Sequence, residues 1–170
     1  MVSGPTASPV GSRTAYTACT ASAHYIVDTN IISETLKKKP NENVIAWLFQ
    51  HETQLYLTAI TIAELFTGAY RLPRGKRREN LLLAIEQISD NYERNILPFD
   101  GSSARIYAQM QDESRRAGYT LTVENGMIAA ISAAAKATLA TRNTKDFVHL
   151  GIRLINPFEE QVSDVSKVEL

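Results

Sequence analysis

The 170-residue chain contains one cysteine, Cys19. No internal disulfide framework can form, and a reducing, cytoplasmic setting is expected. No apolar run approaches the length of about eighteen residues that a membrane-spanning helix needs, so no membrane partner is expected. Charge of either sign is also not in excess. Eighteen Lys plus Arg balance eighteen Asp plus Glu, so any polyanionic partner must be held by a local patch. No G-x-G-x-x-G or P-loop pattern follows a strand-like segment, which argues against nucleotide binding. His51 and His149 stand alone without the spacing of zinc ligands. A phosphoaspartate receiver centred on Asp28 lacks the partner Lys and acidic pair it would need.

What is present divides the chain in three. Residues 1–24, "MVSGPTASPVGSRTAYTACTASAH", are mostly Gly, Ala, Ser, Thr and Pro with one formal charge, Arg13. This composition supplies too little apolar surface to offset ordering entropy, and a disordered N-terminal extension is expected. It lacks the apolar core of a secretory signal and has too few arginines for a transit peptide. An upstream start or an expression remnant is the simpler reading. Residues 25–158 form one folded domain, and 159–170 a polar C-terminal tail.

Within the domain, apolar runs alternate with amphipathic stretches. "HYIVDTN", "QLYLT", "RNILPF", "TLAT" and "IRLINPF" read as strands bounded by turn residues. "IISETLKKK" and "NENVIAWLFQHE" read as short helices around Pro40, the second capped by Asn41 or Asn43, with Val44, Trp47 and Leu48 on one face. "AITIAELFTGAYRL", "GKRRENLLLAIEQISDNY", "DGSSARIYAQMQDESRRAG" and the stretch opening at Thr122 read as four more helices, with Asp100 as a cap and Gly118 as a terminator. Such alternation specifies an α/β fold with a mainly parallel sheet.

Ligands of parallel sheets bind beyond the carboxyl ends of the strands. Asp28, Glu64 and Asp146 fall there, with Asn125 one helix earlier and Thr29, Asn30, Thr58, Thr141 and Asn143 nearby. Taken singly, each acid has an ordinary structural reading: Asp28 as a helix cap, Glu64 as a solvated helix residue, Asp146 as a turn residue. Taken together, clustered carboxylates raise one another's pKa. A hard divalent cation relieves that conflict and can clamp a phosphodiester for in-line attack by water.

In chain order, "IVDTNIISE", "TAITIAELFTGAYRLPRGKRR", "ILPFD", "TVENGMIAAI" and "LATRNTKDF" resemble the PIN-domain ribonuclease toxins of bacterial type II toxin–antitoxin modules. These form the VapC family, and its FitB-like subgroup is nearest. The resemblance spans residues 25 to about 158. It implies a three-layer α/β/α sandwich, and Mg²⁺ or Mn²⁺ held by an acidic quartet. It further implies RNA cleavage (tRNA among the candidates) leaving a 5′-phosphate and a 3′-hydroxyl, a VapB-type antitoxin partner and a homodimer. Asp28, Glu64 and Asp146 match the first, second and fourth acids of that quartet.

At the third position stands Asn125, which keeps a carbonyl oxygen but lacks the charge that attracts a cation. Glu124 is the nearest substitute. Successive helix residues point about 100° apart, so Glu124 would have to bend back at the first turn. Three origins are open for the amide: an engineered inactivation, a degenerate natural copy, or a working variant. The expectation is a nuclease weakened or inactive at one position, the alternative being an inert module that binds antitoxin or RNA. Arg74, Lys76, Arg77 and Arg78, around a Pro-Gly turn, are the candidate RNA contacts, with Lys37 to Lys39, Arg115 and Arg116 adding positive charge. A solvated helix start is the plainer reading of the Arg74–Arg78 group.

Overall fold

The computed structural model describes residues 24–159. Most of the expected N-terminal extension and nearly all of the expected tail therefore lie outside the described residues. The chain runs β1 (Tyr25–Val27), α1 (Thr29–Ile32), a 3-10 turn (Ser33–Leu36), α2 (Glu42–Gln50), β2 (Leu55–Thr58), α3 (Ala59–Tyr70) and α4 (Lys76–Asn91). It continues with β3 (Ile96–Leu97), α5 (Gly101–Arg116), α6 (Val123–Ala134), β4 (Thr138–Ala140) and β5 (Leu154–Ile155).

The five strands form one sheet in the order β3-β2-β1-β4-β5, and every pair is parallel. β1 lies at the centre, with Ile26 opposite Tyr56 on one side and Leu139 on the other. Because side chains alternate across a strand, Ile26 and Val27 enter different cores. Val27 packs with Ile31, Val44, Trp47, Leu57 and Leu65, beneath α1 to α4. Ile26 packs with Met110, Ile128, Ile131, Leu139 and Phe147, beneath α5 and α6. The expected α/β/α layering follows from this alternation.

Helix starts are set locally. Asn41 accepts the N–H of Val44 at 3.2 Å, Thr58 that of Thr61 at 2.9 Å and Asp100 that of Ser103 at 2.8 Å. Thr122 caps α6 through the N–H of Asn125 at 3.3 Å. Gly118, at φ +78°, closes α5 in the left-handed conformation that a Cβ disfavours.

One boundary departs from expectation. "IISETLKKK" is not a single helix. The helix begins earlier, at Thr29, and tightens into the 3-10 turn, because Asp28 itself caps it by accepting the N–H of Thr29 at 2.7 Å. Among the described residues no helix is long and apolar enough to cross a membrane.

Candidate active site at the carboxyl edge of the sheet

β1, β2 and β4 end side by side, and the helices that follow β1 and β2 start at that edge. Asp28, the residue after β1, is only 6 % exposed. Three donors converge on its carboxylate: the Thr29 N–H on Oδ1, and Asn30 Nδ2 and Thr141 Oγ1 on Oδ2, the last two both at 2.6 Å. Thr141 follows β4, so the β1–β4 pairing brings together residues 113 positions apart. Asn30 Nδ2 lies 3.1 Å from Thr141 Oγ1, and the N–H of Asn143 donates to the same hydroxyl at 3.1 Å. Asn143 thus serves through its backbone, while its side chain is exposed.

Glu64 lies in the second turn of α3 and accepts the Thr29 hydroxyl. Asp146 sits in a 3-10 turn after β4, exposed, and accepts Asn125 Nδ2 at 3.4 Å. Burial pushes the Asp28 carboxyl above its ordinary range. Hydrogen bonds from Thr141, Thr29 and Asn30 pull it back, and the charge of Asp146 adds to the rise. Glu64 is also raised, first by burial, against the Thr29 hydrogen bond and with help from the charges of Asp28 and Glu124. The acids at positions 28, 64, 124 and 146 therefore share one electrostatic neighbourhood. Glu124 is exposed on the first turn of α6.

Among the described residues none of these four acids forms an ion pair; the pairs present are Lys37–Glu34, Arg115–Asp112 and Arg116–Asp112. Carboxylates that repel one another without a cationic partner fit a hard divalent cation. Asp28, Glu64 and Asp146 are the side chains that could hold one. Even so, no three acidic, histidine or cysteine side chains among the described residues stand grouped as a metal shell. The position that would add a further acid is the amide of Asn125.

The other expected residues are placed differently. Thr58 is buried as a cap, its hydroxyl 3.0 Å from that of Thr61, and takes no part in the cluster. Arg74, Lys76, Arg77 and Arg78 lie in and after the α3–α4 turn, with no hydrogen bond or ion pair to the acids. The Arg78 guanidinium rests over the Tyr70 ring. His51 packs tilted against Trp47, and His149 stacks on Tyr119.

Two residues near the site escaped the sequence reading. Glu34 is a buried acid held by Lys37 and by the N–H of Asn41. Arg142 donates its N–H to Asn30 Oδ1 at 2.9 Å. The one available signal was the adjacency of Arg142 to Thr141 in "LATRN".

The sequence pattern described as the PIN domain matches residues 25–152. This chain belongs to the PIN-domain family. Toxin FitB of Neisseria gonorrhoeae is 39 % identical over 137 residues, covering 79 % of this chain and 99 % of FitB. The VapC ribonuclease Y4jK of Sinorhizobium fredii is 38 % identical over 136 residues, covering 79 % of this chain and 97 % of that protein. A crystal structure of FitAcB from Neisseria gonorrhoeae superposes on this PIN domain with a TM-score of 0.75 at 38 % identity, covering 80 % of this chain and 99 % of that one. A structure of FitAB bound to a DNA fragment gives the same TM-score at 37 % identity, with 82 % and 99 % coverage.

Proposed function

We propose that this PIN domain is a toxin-type endoribonuclease that acts in the cytoplasm, is neutralised by a cognate antitoxin of the VapB type, and works as a homodimer. The carrying observation is the acid set at the sheet edge. Asp28, Glu64 and Asp146 occupy one electrostatic neighbourhood without a cationic partner, in a chain whose relatives are named as a toxin and a ribonuclease. Mg²⁺ or Mn²⁺ bound there would supply the charge that clamps a phosphodiester and activates water.

The chain's own residues prepare that chemistry. Three donors fix the orientation of Asp28, so its carboxylate needs no reorganisation when substrate arrives. Thr29 holds Glu64, and Asn125 holds Asp146. Exposed Tyr119 and Val123 at the approach to α6, Val148 in the turn after Asp146, and Phe49 and Leu83 on α2 and α4 are apolar side chains that partner chains would cover.

A second reading rests on Asn125: an inert module that keeps the antitoxin or RNA surface without turnover. One experiment separates the two. RNA cleavage is measured for the chain as it stands and for Asn125→Asp, with and without EDTA, over a panel that includes tRNA. Divalent-dependent cleavage strongly enhanced by Asn125→Asp supports the nuclease, and no cleavage by that variant of any RNA in the panel overturns it.

A further inference from the structure

The strand end that carries Thr141 also carries Arg142, whose backbone is tied to the acid cluster. Its N–H donates to Asn30 Oδ1 at 2.9 Å, and Asn30 Nδ2 donates to Asp28 Oδ2 at 2.6 Å. One side chain therefore links the Arg142 backbone to the most buried carboxylate of the site. The charged end is held as well. The guanidinium carbon lies 4.8 Å from the centroid of the Phe158 ring, within cation–π range.

The head group is oriented but not neutralised by contact. Arg142 is exposed, and among the described residues no carboxylate lies within ion-pair distance of it. Buried Glu34 feels its charge but has Lys37 and the N–H of Asn41 as its own partners. Arg142 also stands on a particular side of the cleft. Phe158 packs against the core beneath α1 to α4, whereas α6, which carries Asn125, packs on the opposite core. Asp28 and Thr141 lie between them at the edge of the sheet. A polyanionic strand laid across this edge from the α6 side would pass the acids and then meet the guanidinium. Arginine suits that position, because its planar fork can take a phosphate through two parallel hydrogen bonds.

We propose that Arg142 is a phosphate-binding residue of the active site, holding a backbone phosphate of the RNA strand beside the one to be cleaved. The proposal rests on the nuclease reading above. A purely structural strap between β4 and the segment carrying Phe158 is the competing role, and it would affect folding stability alone.

The test uses a fluorescein-labelled single-stranded RNA of mixed sequence, bound in EDTA across a salt series and followed by anisotropy. The chain as it stands is compared with Arg142→Gln and Arg142→Lys, each checked by thermal melting. Arg142→Gln is expected to weaken binding about tenfold and to lower the salt slope by about one. Arg142→Lys is expected to keep the slope and lose part of the affinity. In the Asn125→Asp background, Arg142→Gln is expected to raise KM more than it lowers kcat.

Unchanged affinity and slope in a folded Arg142→Gln protein would overturn the proposal, as would a lowered melting temperature with RNA binding intact. Cleavage by Asn125→Asp with KM indifferent to Arg142→Gln removes the phosphate role and leaves the nuclease standing. Lost RNA affinity in Arg142→Gln, with no cleavage by Asn125→Asp, removes the nuclease reading and the active-site role with it, leaving Arg142 as a phosphate contact of an inert RNA-binding module. Absence of RNA binding by the parent chain overturns the phosphate role, while cleavage by Asn125→Asp decides the nuclease reading.

Discussion

The side-chain amide of Asn125 donates to Asp146 Oδ2 at 3.4 Å. A neutral donor is what a lone carboxylate accepts, whereas an ionised Asp at this position would repel Asp146 until a cation stood between them. At an effective dielectric near 20, two unit charges about 4 Å apart interact by roughly 4 kcal/mol, and a divalent ion doubles the attraction. Discounted to about a third for solvent and relaxation, this corresponds to about a hundredfold in affinity. Asn125→Asp is therefore expected to bind Mn²⁺ about a hundredfold more tightly by calorimetry, and to gain more in melting temperature on Mn²⁺ addition. Equal affinities for the two chains would place residue 125 outside the metal shell.

The raised carboxyls of Asp28 and Glu64 give the metal-free protein a defined pH response. A carboxyl whose folded pKa lies above its unfolded value binds more protons in the folded state, so stability falls as pH rises through that interval. Both groups are raised, burial being the larger cause in each. Glu34, Asp100 and Asp112 are lowered, led by the Lys37 hydrogen bond, the Ser103 N–H and the Arg115 hydrogen bond respectively. Their contribution is present above the ordinary carboxylate range and is lost as pH falls through the lowered values. In EDTA the melting temperature should rise from neutral pH toward the mildly acidic range just above ordinary carboxylate values, then fall on further acidification. Asp28→Asn should flatten the first limb. A melting temperature that falls monotonically from neutral pH would contradict the assignment.

The basic turn between α3 and α4 is expected to govern binding rather than turnover. α3 carries Glu64 in its second turn and ends at Tyr70, roughly 9 Å further along the helix axis. Arg74, Lys76, Arg77 and Arg78 come later still, and the Arg78 guanidinium lies 4.8 Å from the centroid of the Tyr70 ring. Replacing Arg74, Lys76 and Arg77 together by Gln should weaken RNA binding and reduce the salt slope by up to about three. In the Asn125→Asp background kcat should hold. A loss of kcat at saturating RNA would mean that these residues reach the reacting phosphate.

Much of this site was legible in the sequence, and the reasons are local. Asp100, Asn41 and Thr122 cap their helices through the N–H three residues on, a distance the chain sets by itself. Strand and helix periodicity located the carboxyl edge, and with it Asp28 and Glu64. Other features depend on pairings that no local window contains. Asn30 meets the Arg142 N–H across 112 residues, and Asp28 meets Thr141 across 113. Those contacts exist because β1 lies beside β4 in a sheet whose order departs from chain order. Nothing in "IISETLKKK" singles out Glu34, yet it is buried and paired with Lys37. Gly126, unremarked in the sequence, is required by the approach of Tyr107 on α5.

That requirement yields the last prediction. A Cβ on Gly126 would stand 2.7 Å from Tyr107 Cε2, closer than real contacts come, and 3.3 Å from Leu121 Cδ2, a tight contact. The Tyr107 ring has little room to retreat, because its edge meets Phe99 and its hydroxyl accepts Gln111 Nε2 at 3.0 Å. Ala is favoured over Gly in a helix interior by about 1 kcal/mol, and overpacking of this kind costs about 1–3 kcal/mol. The clash should win, and Gly126→Ala should melt several degrees below the parent. It should also move the first turn of α6, so that the Asn125 amide loses its reach to Asp146. Combining it with Tyr107→Ala removes the obstructing ring at the expense of a cavity. Within that background Gly126→Ala should be neutral or stabilising, because only the lesser Leu121 contact still opposes the helix preference. Thermal melts of the four proteins form a double-mutant cycle, and additive effects would show that Gly126 and Tyr107 do not compete for the same space.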